Sequence, residues 1–307
     1  MLQSLSAQTR LLVVAPHPDD ETLATGVLIQ RVLAAGGAVH VLLLSDGDNN
    51  PWPQRWLERR VRIGAAERAR WATRRRREFR AAMAVLGMRD GAFTALGWPD
   101  QGLTRRVQCK LAASLPALRA VLDAFDPDLV AMPALDDRHP DHAAAHVLMR
   151  LAMHGRGIVP ATWLYRVHGG PREGGAGFAL PSDAAMQARK RMALACHASQ
   201  LALSASRMAR LAARVERYLP LVAQCGRVPL PWHPPRLAWS WLMLTVADST
   251  GGATWPWAAA PWVCSADGDY WLPSSPARSG EPRFAKLQGR LPSPWIFDHW
   301  GWCELPH

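Results

Sequence analysis

Short apolar runs alternate with stretches of helical period over the first 170 residues, and this restricts the fold more than any other feature. Residues 10–16 and 39–45 read as buried strands, and 22–35 and 67–86 as helices closed by Gly36 and Gly87. Stretches 91–96, 128–132 and 162–167 continue the strands, while 107–125 and 142–154 continue the helices. This succession calls for an α/β architecture: a Rossmann-like, mostly parallel sheet with helices on both faces. Such sheets bind ligands beyond the carboxyl ends of their strands.

Residues 182–219 read as Ala-rich helix with a break near 199–206. From Gly226 onward no helical period survives, and ten of the fifteen Trp fall there, interleaved with Pro and Gly. Two parts are therefore expected: a main domain over 1–225 and an irregular or β-rich, Trp-rich appendage over 226–307, packed on it. Its indoles have three readings: packing, a substrate wall that stacks on sugar rings or an acyl chain, or a membrane interface.

Of the 307 residues, 49% are apolar and 20% charged, which excludes wholesale disorder. The longest apolar runs fall far short of the roughly 20 residues a membrane helix needs. A signal-peptide layout is missing at the start, so a cytoplasmic location is expected. The five Cys form no close pair and are odd in number, which reads as reduced, mostly buried thiols. The formal charge of +11 is concentrated in one segment, since residues 55–80 hold eleven Arg against three acids. The whole chain has only three Lys, a general Arg-for-Lys bias. The Arg-rich segment reads first as a solvated helix face, then as a contact for an anionic small molecule or lipid headgroup. Polynucleotide binding ranks last.

Two short clusters carry the chemistry, each just after an expected strand. One is Pro16-His17-Pro18-Asp19-Asp20-Glu21, and the other is His139-Pro140-Asp141-His142. Ends of parallel strands share one edge, so the two clusters are expected to converge. Hydrolytic zinc sites take three protein ligands from His and carboxylate and leave a fourth position for water. His17, one of the two Asp and one His of the second cluster supply that set. The remaining acid suits deprotonation of water, and the remaining His suits polarisation of a carbonyl. Taken singly, each cluster has a plainer meaning, a helix cap or a hydrogen-bonded turn. His146 is expected to be packed or solvent-facing. His40, His154, His168, His197 and His233 show no carboxylate-bearing context. No nucleophile elbow or phosphate-cradling glycine loop is present.

The two clusters together resemble the signature of the PIG-L (LmbE-like) zinc-dependent N-acetylglucosaminyl deacetylases. The resemblance spans about residues 10–200. It takes in Arg75-x-x-Glu78 with Leu86-Gly87, Leu96-Gly97-Trp98-Pro99-Asp100, and Lys190 with Ser199-Gln200. It implies a hydrolase removing acetyl from an N-acetylated amino sugar or glycoconjugate, with Zn2+ or another divalent metal as cofactor. It implies His17, Asp20 and His142 as metal ligands and Asp19 as the base that activates water and returns a proton to the leaving amine. His139, oriented by Asp141, would stabilise the oxyanion, and Arg75 and Asp100 would contact the sugar. Arg75 shares a helix face with Ala82 and Leu86, which singles it out within the run 74–77.

The expected partner is a small-molecule or lipid-linked N-acetylated sugar, with an anionic substrate and peripheral membrane contact both compatible with the charge. Nucleic acid is not expected. The alternatives are an amidohydrolase of another N-acyl compound, such as a glycopeptide or small metabolite, and a non-catalytic binding module. The chain departs from the family at Ser45-Asp46-Gly47-Asp48, where Thr-x-Gly-Glu is usual. It also departs in the 51–66 stretch and the Trp-rich tail, both expected to shape substrate choice.

Overall fold

The computed structural model describes residues 5–157, 159–169, 177–222, 226, 228–273, 281–291, 297 and 299–305. The chain runs β1 (Arg10–Ala15), α1 (Asp20–Ala34), β2 (Ala38–Ser45), α2 (Pro51–Glu58), α3 (Ala65–Val85), β3 (Phe93–Trp98), α4 (Leu103–Cys109) and α5 (Leu111–Phe125). It continues through β4 (Leu129–Pro133), α6 (Pro140–Met153), β5 (Ala161–Tyr165), β6 (Phe178–Ala179), α7 (Ala184–Cys196), α8 (Ala198–Ala212) and β7 (Arg217–Pro220). Six further strands follow: β8 (Leu242–Asp248), β9 (Gly251–Pro256), β10 (Val263–Cys264), β11 (Tyr270–Trp271), β12 (Phe284–Gly289) and β13 (Trp302–Glu304).

The chain divides into two compact units, each drawn from three stretches. Unit 1 comprises 1–102, 121–134 and 160–221; unit 2 comprises 103–120, 135–159 and 222–307. The mostly parallel sheet expected from the alternation is the frame of unit 1, with strand order β3-β2-β1-β4-β5-β7-β6. The strands from β3 to β5 are parallel, and β7 runs antiparallel to β5. The order reverses between β1 and β4, whose register pairs Leu11 with Leu129 and Val13 with Ala131. Both strands therefore end at one edge, at the switch point where such sheets bind ligands.

Leu11 to Ala15 and Val41 to Leu44 are wholly buried, which accounts for their unbroken apolar sequence. On α3 the buried side chains Trp71, Arg75, Phe79, Ala82 and Met83 fall at helical spacing, a stripe that admits one Arg. A buried ion pair ties α7 to the region before β7: Lys190 Nζ lies 2.7 Å from Glu216 Oε1. Glu216 also accepts the Val27 and Leu28 N–H groups of α1 and the Tyr218 hydroxyl, so the buried charge is fully engaged.

Unit 2 contains the four-stranded antiparallel sheet β13-β12-β8-β9. Its core gathers Trp232, Leu244, Trp257, Ala285 and Leu287, with Trp239, Trp262 and Tyr270 packed against it. The Trp257 and Trp262 rings stack at 5.5 Å. The β-rich expectation for the tail holds here, and these indoles serve as core.

Several boundaries differ from expectation. Residues 51–58, not delimited as a separate helix in the sequence, form α2; Pro51 and Pro53 occupy first-turn positions that a helix tolerates. The 107–125 helix is two, α4 and α5. The 182–219 helix ends at Ala212, with a break at His197 and a kink at Ser204, and 217–220 is strand. The cysteine expectation is half corrected: Cys109, Cys196, Cys264 and Cys303 are free thiols, but Cys109 and Cys264 are exposed. Cys225 lies outside the described residues. No helix among the described residues is long and apolar enough to cross a membrane.

Candidate functional site

In unit 1 the chain leaves β1 through Pro16, whose carbonyl accepts the Ser45 hydroxyl at 2.9 Å. His17 follows, held between two carboxylates. Its Nδ1 lies 3.2 Å from Asp20 Oδ2, and its Nε2 lies 3.1 Å from Asp100 Oδ1. Asp20 Oδ2 also accepts the His17 N–H at 2.9 Å. His17 is 7% exposed and Asp20 1%, so this is a buried donor set rather than a surface ion pair.

Asp19, between them in sequence, is wired differently. Its φ of +118° is a value that side-chain-bearing residues rarely adopt. Such a backbone costs on the order of 1–3 kcal/mol and persists only where the surroundings enforce it. The enforcing group is Glu21, whose Oε2 accepts the Asp19 N–H at 2.9 Å. Asp19 Oδ2 meets Arg75 Nη2 at 3.2 Å. Burial pushes the Asp19 carboxyl up to about 6, against the Arg75 guanidinium, which pulls it down.

Arg75 is 3% exposed. It donates through Nη1 to Gly47 O at 2.9 Å and through Nη2 to Pro18 O at 2.6 Å. Gly47, at φ +62°, is the close approach that makes this possible, since a Cβ there would lie 1.6 Å from Arg75 Nη1. The 45–48 loop thus braces the site: Asp46 pairs with Arg76, and Asp48 Oδ1 accepts the Asp100 N–H at 3.1 Å. Asn49 N–H donates to Asp100 Oδ2 at 3.0 Å, which completes the seating of that carboxylate.

In unit 2, His139 caps α6 and Pro140 takes its first position. The Asp141 N–H donates to His139 Nδ1 at 3.3 Å, which leaves the proton of the neutral ring on Nε2. The Asp141 carboxylate accepts the Leu103 N–H at 3.1 Å. His142 is wholly buried, and its Nδ1 lies 3.2 Å from Asp137 Oδ2. Asp137 also accepts the His139 N–H at 3.0 Å. His146, one turn on, is buried against Phe284 with ring centres 6.1 Å apart, the packed role expected of it.

Three participants were not evident in the sequence. Asp137 belongs to no motif, and its one signal is its place two residues before His139. Glu21 ends the first cluster without an assigned task. His197 is a correction, because it does have a carboxylate context: its Nε2 donates to Glu21 Oε1 at 3.0 Å. Burial is the largest influence and lowers the His197 pKa, but the charge and hydrogen bond of Glu21 together with the charge of Asp19 raise it, and the net shift is upward. His233 likewise pairs with Asp269, at the surface.

Two of the imidazoles that could serve as ligands are thus backed by a carboxylate within their own unit. His17 has Asp100, and His142 has Asp137. A carboxylate behind the ring fixes the tautomer and orientation of metal-bound histidines. With the Asp20 carboxylate, the donors are the nitrogen and oxygen set that zinc and related divalent cations prefer. The residues present fit such an ion.

A doubly wound α/β domain with acid- and histidine-bearing turns after β1 and β4 is the class the fold and site define. Residues 12–153 match the PIG-L family, described as GlcNAc-PI de-N-acetylase. The chain is 32% identical over 171 residues to a 1D-myo-inositol 2-acetamido-2-deoxy-alpha-D-glucopyranoside deacetylase of Mycolicibacterium vanbaalenii. That match covers 50% of this chain and 56% of the relative, so the chain spans about half the length of the curated relatives it matches. A triple mutant of a deacetylase of the teicoplanin biosynthetic pathway superposes with a TM-score of 0.55 at 23% identity, over 70% of this chain and 98% of that one. The 4-carboxy-2-hydroxymuconate hydratase of Pseudomonas putida shares the fold equally well, with a TM-score of 0.54 at 19% identity over 72% and 99% of the two chains. The fold alone therefore does not choose the reaction.

Proposed function

We propose that this protein is a metal-dependent N-deacetylase acting on an N-acetylated amino sugar or its glycoconjugate. The observation that carries the reading is the division between adjacent carboxylates. Asp20 is committed to His17, whereas Asp19 is held in a strained backbone beside Arg75 with a raised pKa. One is wired as a ligand and the other as a base.

In this reading His17, Asp20 and His142 hold a divalent cation, with zinc the first candidate. β1 and β4 are parallel neighbours ending at one edge; His17 follows β1 by two residues and His139 follows β4 by six. The cation, when bound, lowers the pKa of water to about 7 and polarises the amide carbonyl. Asp19 takes the proton of the attacking water and delivers it to the departing amine. Arg75 holds Asp19 in its ionised form through the 3.2 Å contact. His139 presents its Nε2 proton to the oxygen that becomes negative as the carbonyl is attacked, and Asp141 keeps that tautomer through its backbone N–H. Asp100 orients His17, and Arg75, bonded to Gly47 O, Pro18 O and Asp19, acts on the base; both side chains, to which the resemblance assigns sugar contacts, are buried and bonded within the protein.

The experiment is a panel of N-acetylglucosamine conjugates, including the inositol conjugate, assayed for released acetate with and without a chelator. Chelator-sensitive release that returns on adding zinc supports the proposal. A folded preparation that releases no acetate from any conjugate, with or without added divalent metal, overturns it.

A further inference from the structure

Helix α2 is turned inside out. Its buried positions hold Pro53 and Gln54, while Trp52 and Trp56, one turn apart on the same face, are 65% and 67% exposed. The Gln54 amide nitrogen donates inward to Glu67 O at 2.7 Å and to Glu58 Oε1 at 3.1 Å. Leu57 and Val61 are exposed as well. A helix that buries an amide and gives two indoles to water runs against the ordinary partition of side chains, and contiguous exposed apolar surface marks an interaction site.

The charge around this face has one sign. Residues 51–63 hold Arg55, Arg59, Arg60 and Arg62 against the single acid Glu58. Glu58 is already paired with Arg70 at 3.0 Å, and the nearby Glu67 with Arg60 at 3.1 Å. Arg59 and Arg62 are exposed. The Arg55 guanidinium lies over the Trp52 ring, 5.0 Å from its centre, so cation and indole form one surface.

We infer that α2 and the turn through Arg62 form a docking face for an anionic lipid bilayer. Indoles favour the level of the lipid headgroups, and Arg beside them engages headgroup phosphates, so the bilayer interface satisfies both halves of the patch. A neutral apolar partner would leave the cations unmatched. An acidic polypeptide would match the Arg but not, by its charge, the two indoles. The face is also tied to the candidate site within unit 1. Pro51 follows Asn49 by two residues, Asn49 N–H is bonded to Asp100, and Asp100 is bonded to His17. The inference does not depend on the reaction proposed above.

The test is co-sedimentation of the full chain with vesicles of phosphatidylcholine alone, or of phosphatidylglycerol and phosphatidylcholine in equal parts. Binding to the anionic vesicles is expected to exceed that to the neutral ones by roughly tenfold or more and to weaken with added salt. Trp52→Ser with Trp56→Ser, and separately Arg59→Gln with Arg62→Gln, should each reduce it by roughly tenfold or more at an unchanged melting temperature. Equal binding to both vesicle types, or to neither, overturns the inference. So does binding that survives loss of the two indoles and is competed away by poly-glutamate, which would indicate an acidic protein partner. The comparison of lipids uses the unaltered chain and decides the matter even where a variant misfolds.

Discussion

The His197 imidazole reaches the Glu21 carboxylate at 3.0 Å across 176 positions of sequence, and the far oxygen of that carboxylate holds the N–H of Asp19. A residue at the junction of α7 and α8 thereby governs the backbone of the carboxylate assigned as base. Removing it leaves the buried Glu21 carboxylate without its imidazole partner, held by the Asp19 N–H and the Thr22 hydroxyl. His197→Leu is expected to cost about 3–5 kcal/mol of stability in urea unfolding, the usual result of deleting one member of a buried pair. His197→Gln, which can still donate, should recover part of that loss and of the turnover. Equal behaviour of the two variants would contradict a hydrogen-bonding role.

The same pair sets a pH dependence. The folded His197 pKa is raised above the unfolded value, so the charged form is favoured by folding. Its contribution is full below the unfolded pKa, near 6.5, and disappears as pH rises through the folded value. The stability gap between wild type and His197→Gln should therefore be widest near pH 6 and shrink toward pH 9. A gap that widens with rising pH would refute the assignment.

Asp19→Asn should retain bound metal while turnover falls by about 100- to 10,000-fold, the range for a lost general base. Asp20→Asn should instead lose metal, read directly by elemental analysis. The opposite pattern would mean that the two roles are exchanged.

Asp137→Ala removes the carboxylate behind His142 Nδ1 without touching the proposed donors themselves. Metal affinity is expected to fall by about 10- to 100-fold, measured by competition with a chromogenic chelator. An unchanged affinity would show that the 3.2 Å contact is only packing.

Gly47→Ala places a methyl group in the space of the Arg75 guanidinium and on a backbone with φ of +62°. Displacement of Arg75 from Asp19 follows, so the proposed deacetylase activity should drop while bound metal, read by elemental analysis, is retained. A fully active Gly47→Ala variant would remove Arg75 from the account.

The parallel sheet and both His-bearing turns were legible because they depend on local pattern. Leu11 to Ala15 reads as a buried strand from its unbroken apolar run, and the acid pair next to His17 pointed to a site only together with the second His-bearing turn. The supports were not legible, because each is a long-range contact made by a residue of ordinary context. Nothing near His197 in sequence announces Glu21, and nothing near Asp48 announces Asp100. The position of Arg75 was readable from its apolar stripe on α3, but its bonds to Gly47 and Pro18 come from the tertiary fold. Helix α2 was not delimited because its eight residues are too short to show a helical period; only Pro51 and Pro53 at its start, both in the first turn, hint at it.

Arg150 on α6 grips Glu304 of β13 at 2.6 and 3.0 Å, and 154 residues separate them. On the ribosome, α6 emerges long before the strand that holds it has been translated. The nascent chain can pair β1 with β2 early, since their partners lie close in sequence, while the helix bearing His142 gains the Arg150–Glu304 ion pair only once β13 has been made, so this restraint on α6 is among the last to form.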